Sequence, residues 1–483
     1  MADLKKKIIK DTQLLAMRDF LRRALQIPVT IVSANVLGAE NFGLLKILNF
    51  VPSLGKFGNI GLGSVMVREV SKIKQDETGL LKSFSRNIAF SVTLLWVVLL
   101  STFVFLSSLF FSRPEIKWGL MIVSITLMLN QIVVLFKVNC KLMKNFKLLS
   151  FADAVSSIIS AIFILTTIYW LGIYSGLIAS LIAAVTGCII LKIKLGLRFN
   201  FQFDRIELYR QLKIGIPMAL TTTFFGIWLW TERILITKLW GLEGVGVYML
   251  GVTAMQMLTF MIDNSLQAIG VHLYERLGEK EGKANIGKLI YSPTLTFTTI
   301  SSIVGGGIII FGPILIKILV PEYLKLIPLL PWMALSLFFT SISNMYATSM
   351  NSTHLNQQVR IIFFRLVSIL LFVFSTYFLW MYMGGLSAGM IGRAFAMGIL
   401  SILSIISTKK LLYDDSKSLF YELIDYCIPF IWIMFCTSFI SLNVINSIYD
   451  FILNIVLFLI VCVPIIIRWE KKVGFIRIYY SKT

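Results

Sequence analysis

Residues 38–43, Gly-Ala-Glu-Asn-Phe-Gly, have a counterpart in residues 241–246, Gly-Leu-Glu-Gly-Val-Gly. Both stretches share the pattern G-x-E-x-x-G, and the second copy begins 203 residues after the first. Each copy directly follows a long apolar segment, which places it at a turn between two hydrophobic helices. The recurrence predicts an internal duplication, with one such turn in each half of the chain.

The composition is that of a chain embedded in a membrane. Hydrophobic types make up 57% of the 483 residues and charged types 14%, and the mean hydropathy is +0.84. Soluble domains carry about 45–50% apolar and about 25% charged residues, so a soluble enzyme and a disordered chain are both excluded. The net charge of +21 lies in short connectors between apolar segments. This distribution argues against nucleic-acid binding and for membrane topology.

Fourteen apolar segments are long enough to cross a membrane, which takes about 20 residues each. Six spans separate the two copies of the motif, and because six is even both halves enter the membrane in the same sense. The sequence therefore predicts an all-α integral membrane protein with two parallel six-helix lobes and two extra C-terminal helices. The predicted spans are 11–37, 42–67, 84–111, 118–139, 150–171, 175–194, 211–237, 244–270, 289–318, 326–350, 360–382, 387–408, 421–441 and 448–468.

The predicted organisation has four parts and no soluble domain. These are an N-terminal lobe (1–194), a cytoplasmic linker (195–210), a C-terminal lobe (211–408) and a last part with helices 13 and 14 and a tail (409–483). The predicted inside segments hold 33 Lys and Arg residues, and the outside segments hold 6, Lys46 and Arg113 among them. The positive-inside rule then places both termini in the cytoplasm, and the N-terminal segment is expected to be a tail rather than a signal peptide.

No cluster of residues predicts catalysis, a cofactor or a metal site. The five cysteines form no C-x-x-C pair, and the two histidines show no metal-ligand spacing. Gly282 to Lys288 has the G-x-x-x-x-G-K spacing of a phosphate-binding loop, but Leu289 stands where a Ser or Thr must hold magnesium. We therefore expect neither ATP hydrolysis nor another enzymatic activity.

Basic residues inside the predicted spans mark a candidate binding site, since each costs about 2.5–3.5 kcal/mol on insertion scales. In helical projection, Gln26, Thr30 and Ser33 share one polar face of helix 1 with three arginines. Helices 2, 7 and 10 carry comparable polar stripes, and one central polar cavity explains them all. The predicted substrate-binding residues are Arg18, Arg22, Arg23, Lys56, Trp230, Arg233, Asn344 and Arg393.

Three acidic residues, Asp19, Glu232 and Asp263, complete the charged groups assigned to the spans. One role for them is to couple transport to a cation, and both a proton and a sodium ion remain candidates for that cation. The other role is structural pairing, because Asp19 lies one helical turn before Arg23 and Glu232 adjoins Arg233.

Two regions carry the motifs of a known family. In the first, Arg22 precedes L-G-x-E-x-F-G at 37–43, and G-L-G at 61–63 and Val67-Arg68 follow. In the second, Gly215-Ile-Pro217 precedes the pair Glu232-Arg233 and the segment 241–248. These motifs resemble those of Wzx-type polysaccharide flippases of the multidrug/oligosaccharidyl-lipid/polysaccharide (MOP) exporter superfamily. Glu232 stands where that family often has Asp.

The resemblance implies a fold, a substrate and a location. It implies two lobes around a V-shaped cationic cavity that opens alternately to each side of the bacterial inner membrane. The implied substrate is an undecaprenyl-diphosphate-linked oligosaccharide for O-antigen, capsule or exopolysaccharide synthesis, with helices 13 and 14 accommodating its lipid tail. Membrane lipids, a coupling proton or sodium ion and the polysaccharide polymerase machinery are the other expected partners, and nucleic acid is not among them.

Two other classes of function remain as alternatives. A drug or small-molecule antiporter of the same superfamily, coupled to a cation, should have an acid-rich cavity, whereas six basic and three acidic residues are assigned to these spans. A membrane-embedded enzyme of glycan assembly would need catalytic groups on a substantial outer loop, and the predicted outer connections are short. Both comparisons favour the flippase.

Overall fold

The structure is a computed structural model that describes residues 2–55, 62, 79–143, 145–196, 200–258, 283–352, 355–412, 416–440 and 448–473. Within these ranges the chain is helical, and no β-strand occurs there. The described part of the chain holds twelve α-helices in chain order. They are α1 (Ala2–Leu48), α2 (Gly79–Ser108), α3 (Pro114–Leu142), α4 (Phe146–Leu171), α5 (Ile173–Leu195), α6 (Arg205–Leu258), α7 (Lys283–Leu319), α8 (Leu330–Ser352), α9 (Leu355–Met383), α10 (Ser387–Leu412), α11 (Ser416–Ile440) and α12 (Ile448–Val473). Short 3-10 helices cover Val51–Leu54 and Pro321–Leu329.

The helix starts follow from local sequence. Pro114 opens α3, where its missing N–H is not needed. The Asn145 side chain accepts a hydrogen bond from the Leu148 N–H at 3.1 Å and so caps α4. Asp204 caps α6 in the same way, since its Oδ1 accepts from the Ile206 N–H at 2.8 Å. Each cap satisfies an amide that has no partner within its own helix.

The two longest helices are each broken at the first glycine of the repeated motif. Gly38 in α1 has φ 69° and ψ 171°, and Gly241 in α6 has φ 70° and ψ −170°. A residue with a Cβ atom rarely adopts such a positive φ, so glycine is required at both turns. The two copies of the motif therefore share one backbone conformation as well as one sequence pattern.

The multi-pass membrane character predicted from composition is confirmed. Twelve helical segments in the described ranges are long and apolar enough to cross a membrane. Two of them, Leu21–Leu54 and Thr223–Met257, contain the breaks at Gly38 and Gly241. Each of these joins the later part of one predicted span to the beginning of the next. Fewer segments therefore result than the fourteen predicted, and the count of fourteen is not confirmed.

The chain forms two compact units, residues 1–249 and 250–483. In the first unit, α3, α4 and α5 pack around Phe136, Cys140, Leu149 and Leu191. In the second, α7, α8, α10 and α11 pack around an aromatic core that includes Phe338, Tyr346 and Tyr426. The boundary falls within α6, and the lobe limits at 194 and 211 stay a prediction.

The last two helices are fixed to α7 in the second unit. Ile310 of α7, Ile433 of α11 and Phe458 of α12 belong to one buried cluster. At one end of these helices Asp425 accepts hydrogen bonds from the Tyr291 hydroxyl at 2.8 Å and the Arg468 guanidinium at 2.7 Å, and Lys472 also donates to it. The predicted extra helices are thus integral to the second unit.

Candidate functional site

A polar cavity of about 390 Å³ lies within the first unit. Its walls come from α1, α3, α4 and α5. The predicted polar face of helix 1 lines it through Arg22, Gln26, Thr30 and Ser33, which confirms that these residues share one face. A polar pocket in so apolar a chain indicates a site for a hydrophilic ligand.

The cavity carries more positive than negative charge. Its charged lining residues are Arg22, Lys46, Lys137 and Asp153. The Lys137 Nζ lies 2.6 Å from the Asp153 Oδ1, and their side chains are 31% and 15% exposed. Because Asp153 neutralises Lys137, the electrostatic potential inside the cavity is set by Arg22 and Lys46. This positive potential favours anions.

Hydroxyl and amide groups make up much of the remaining polar lining. Asn49 and Asn130 supply amides. The hydroxyls of Ser156, Ser160 and Ser180 donate to carbonyl oxygens of the preceding helical turn, at 2.8, 3.1 and 2.7 Å. The small volume of serine keeps this side of the cavity open while its oxygen keeps it polar.

Lys46 lies within a short series of aromatic and basic side chains. Phe42, Lys46 and Phe50 recur at every fourth residue, and the Lys46 Nζ is 4.8 Å from the centre of the Phe42 ring. The Arg233 Cζ is 3.7 Å from the centre of the Phe50 ring. Trp230 packs against the same ring, with centroids 5.0 Å apart. We call Phe42, Lys46, Phe50, Trp230 and Arg233 the aromatic–basic cluster.

Arg233 and Glu232 are both buried in the first unit. Arg233 is 8% exposed and its Nη1 donates to the Leu229 carbonyl at 2.8 Å. Glu232 is fully buried and its Oε1 accepts a hydrogen bond of 2.6 Å from the Tyr248 hydroxyl. Tyr248 thereby links Glu232 to the helical segment after Gly241.

Among the residues that the structure describes, two of the predicted substrate-binding residues lie in the second unit. Arg393 of α10 is 7% exposed, and its Nε donates to the Ser336 hydroxyl of α8 at 3.2 Å. Asn344 is half-buried on α8, eight residues beyond Ser336. Arg393 therefore lies where α10 meets α8.

Of the remaining predicted residues, the structure describes the side chain of Arg23 but not those of four others. Arg23 is half-buried on α1. The side chains of Arg18 and Asp19, and all of Lys56 and Asp263, lie outside the described residues. Within the first unit the structure brings Arg22 to the polar cavity and places Trp230 beside Arg233 on the Phe50 ring.

Sequence reasoning missed three charged residues of the cavity. Lys46 was assigned to an outside segment, Lys137 was counted with an inside segment, and Asp153 was not counted among the acids of the spans. A signal for Lys46 was present in the four-residue spacing of Phe42, Lys46 and Phe50. No comparable pattern joins Lys137 to Asp153, because they lie on different helices.

The fold is similar to those of solved MATE transporters. A multidrug resistance MATE family transporter of the MOP superfamily in its inward-facing conformation has a TM-score of 0.63 at 15% identity, over 85% of this chain and 96% of that one. An outward-facing conformation of a MATE transporter gives 0.62 at 14% identity, over 85% and 96%. A mutant of the Vibrio cholerae MATE transporter VcmN gives 0.64 at 13%, over 87% and 99%. The fold is thus that of the membrane transporters of the MOP superfamily.

Comparison with family models identifies a narrower group within this superfamily. The model described as polysaccharide biosynthesis protein matches residues 32–283, and comparison with curated proteins gives no significant match. The chain therefore belongs to the polysaccharide biosynthesis protein family. The fold class and the family predicted from the sequence are confirmed.

Proposed function

We propose that the protein is a flippase that moves an undecaprenyl-diphosphate-linked oligosaccharide from the cytoplasmic to the outer leaflet by alternating access. The observation that carries this proposal is the polar cavity of the first unit, which combines surplus positive charge with hydroxyl and amide groups. Such a substrate joins an anionic diphosphate to a glycan rich in hydroxyls. Family membership supports the same pathway.

The cavity meets the physical demands of moving such a substrate across a membrane. The lipid tail can stay in hydrocarbon, while the diphosphate and the glycan must cross about 30 Å of apolar medium. Guanidinium and ammonium groups replace the water that phosphate loses, and a guanidinium can do so through two parallel hydrogen bonds. We assign this role to the predicted basic residues of the spans, with Arg22 in the cavity and Arg233 beside Phe50.

The charge of the cavity weighs against the antiporter alternative. An organic cation entering this pocket would meet Arg22 and Lys46, whereas the Asp153 carboxylate is already paired with Lys137. Like charges repel strongly where water is scarce. The cavity therefore favours an anionic substrate.

Disruption of the gene in its own host tests the function. We expect loss of surface polysaccharide and accumulation of lipid-linked oligosaccharide on the cytoplasmic leaflet, both restored by the wild-type gene. Arg233→Ala should restore export poorly at normal protein levels, and Arg233→Lys should restore part of it because charge returns without the planar fork. Lys238→Ala, an exposed cation on the same helix, is the matched control. Normal surface polysaccharide in the disrupted strain would contradict the proposal.

A further inference from the structure

The segment between α5 and α6, together with the first turns of α6, exposes a mixed apolar and basic surface. Six exposed side chains form this surface, which we call the linker face; four of them are aromatic or aliphatic and two are basic. The members of the linker face are Phe201, Phe203, Arg205, Ile206, Tyr209 and Lys213. The four aromatic and aliphatic side chains are between 60 and 83% exposed, so the rest of the first unit does not cover them.

The first turns of α6 have one buried side and one exposed side. Gln211 is 2% exposed, and its Nε2 donates to the Glu207 Oε1 at 3.0 Å, so these two residues mark the buried side. Arg205, Tyr209 and Lys213 follow one another at every fourth residue and are all exposed, so they share the other side. The two cations therefore lie on one helical surface, with an aromatic ring between them.

Two hydrogen bonds fix the depth of this segment relative to the membrane. The Gln202 N–H donates to the Ser91 Oγ at 3.0 Å, and the Asn87 Nδ2 donates to the Gln202 Oε1 at 3.2 Å. Asn87 and Ser91 lie in the first turns of the apolar segment Asn87–Ser108 of α2, and Arg86 precedes that segment in the sequence. Gln202, which stands between the two exposed phenylalanines, is thereby held at the level where the span begins.

A membrane interface suits the linker face better than water or hydrocarbon does. Large apolar side chains are costly to expose to water, and cations are costly in hydrocarbon, whereas aromatic rings and basic side chains are both favoured at the level of the headgroups. The nearby acids are already engaged, since Asp204 caps α6 and Glu207 lies 2.9 Å from the Arg210 guanidinium. In the described part of the chain, neither Arg205 nor Lys213 forms an ion pair. The surface therefore keeps a positive charge that an anionic headgroup can neutralise.

We propose that the linker face binds the headgroups of anionic phospholipids of the bilayer. Arg205 and Lys213 contact the lipid phosphates, and the aromatic and aliphatic side chains lie at the border of the hydrocarbon. Lipid binding at this surface anchors the connection between α5 and α6 to the membrane. The inference goes beyond the proposed function, because it holds whatever substrate the protein carries.

Hydrogen exchange of the full-length protein in lipid nanodiscs tests this surface. The comparison is between nanodiscs of phosphatidylcholine alone and nanodiscs of an equal mixture with phosphatidylglycerol, followed in peptides from residues 200–213. We expect exchange in this segment to be slower in the mixture, by about fivefold for each cation that meets an anionic surface. The double variant Arg205→Gln, Lys213→Gln should lose this difference. Lys238→Gln, which removes an exposed cation further along the same helix, should keep it.

The other outcomes would each contradict a definite part of the proposal. Equal exchange of the wild type in the two kinds of nanodisc would overturn it, and the full difference in the double variant would overturn the assignment to Arg205 and Lys213. Faster exchange of the double variant in phosphatidylcholine alone would make the two cations structural and would overturn their role in lipid binding. Equal slowing by free glycerol phosphate would identify a soluble anion instead of a lipid.

A second variant tests the apolar part of the surface separately. Phe201→Ser together with Phe203→Ser should speed exchange of residues 200–213 in both kinds of nanodisc, because the segment loses its contact with the hydrocarbon border. Both side chains are exposed, so the thermal midpoint of this variant in detergent should match that of the wild type. Unchanged exchange in the nanodiscs would overturn the placement of the two rings in the membrane.

Discussion

Gly43 and Gly246 each lie directly against the other copy of the repeated motif. A Cβ atom on Gly43 would overlap the Leu242 carbonyl oxygen, and one on Gly246 would overlap the Ala39 carbonyl oxygen. These two contacts are related by the same offset of 203 residues that relates the motifs. The last glycine of each motif is thus explained by a backbone contact between the copies, while the first glycine makes the turn.

Replacement of either last glycine should destabilise the protein. Because the obstructing atoms belong to backbone, Gly43→Ala and Gly246→Ala should each lower the free energy of unfolding by about 1–3 kcal/mol, as overpacking does. Gly307→Ala is the control, since its Cβ would meet no heavy atom closer than 3.8 Å. Thermal unfolding in detergent measures the difference. Equal midpoints for Gly43→Ala and Gly307→Ala would mean that the contact tolerates a methyl group.

The ion pair between Lys137 and Asp153 should be visible in a double-mutant cycle. Lys137→Gln or Asp153→Asn alone leaves one charge in the cavity wall and should cost about 1–2 kcal/mol, less than in a fully buried pair. The double variant should cost less than the sum of the two. Thermal or denaturant unfolding of the four proteins gives the coupling energy, and additivity within about 0.5 kcal/mol would show that the pair adds no stability.

Asp425 should hold the last helix in place. It accepts hydrogen bonds from Tyr291, Arg468 and Lys472, so Asp425→Asn should raise hydrogen exchange in residues 448–473 and cost about 1–2 kcal/mol, given the partial exposure of both cations. Tyr291→Phe removes one neutral donor and should have a smaller effect. Unchanged exchange in Asp425→Asn would mean that apolar packing around Phe458 alone fixes the helix.

The predicted topology can be tested with reporter fusions. The charge distribution predicts that fusions after residues 115 and 385 report the outer side of the membrane. Fusions after residues 145 and 415 should report the cytoplasm. An inverted result at either pair would contradict the shared orientation of the two halves, and with it the parallel duplication.

The fold was predictable because its causes are local or periodic. The length of an apolar segment indicates a membrane span. The glycine turns at 38 and 241 are indicated by a motif that occurs twice. The face of helix 1 carrying Thr30 and Ser33 followed from helical periodicity. Periodicity identifies a face but not the helix that it meets, and for that reason the pairing of Lys137 with Asp153 was missed.

The placement of Lys46 on the cavity wall was not predicted, and the reason is a different one. Counting charges assigns a basic residue near the end of a span to the adjacent connection. The backbone break at Gly38 instead places Lys46 in the helical segment that follows it, beside Phe42 and on the cavity wall. The position of the break within α1 decided the environment of this residue.

The hydrogen bonds that the serine hydroxyls of the cavity already make limit which ligand atoms these hydroxyls can recognise. Ser156, Ser160 and Ser180 have already given their only proton to carbonyl oxygens of their own helices, so they offer the cavity lone pairs alone. A sugar hydroxyl can donate to such an oxygen, whereas an ionised phosphate oxygen has no proton to give. For the substrate proposed above, the phosphate would be attracted to the cations and the sugar hydroxyls to the serine oxygens, and the two parts of the wall would together orient it.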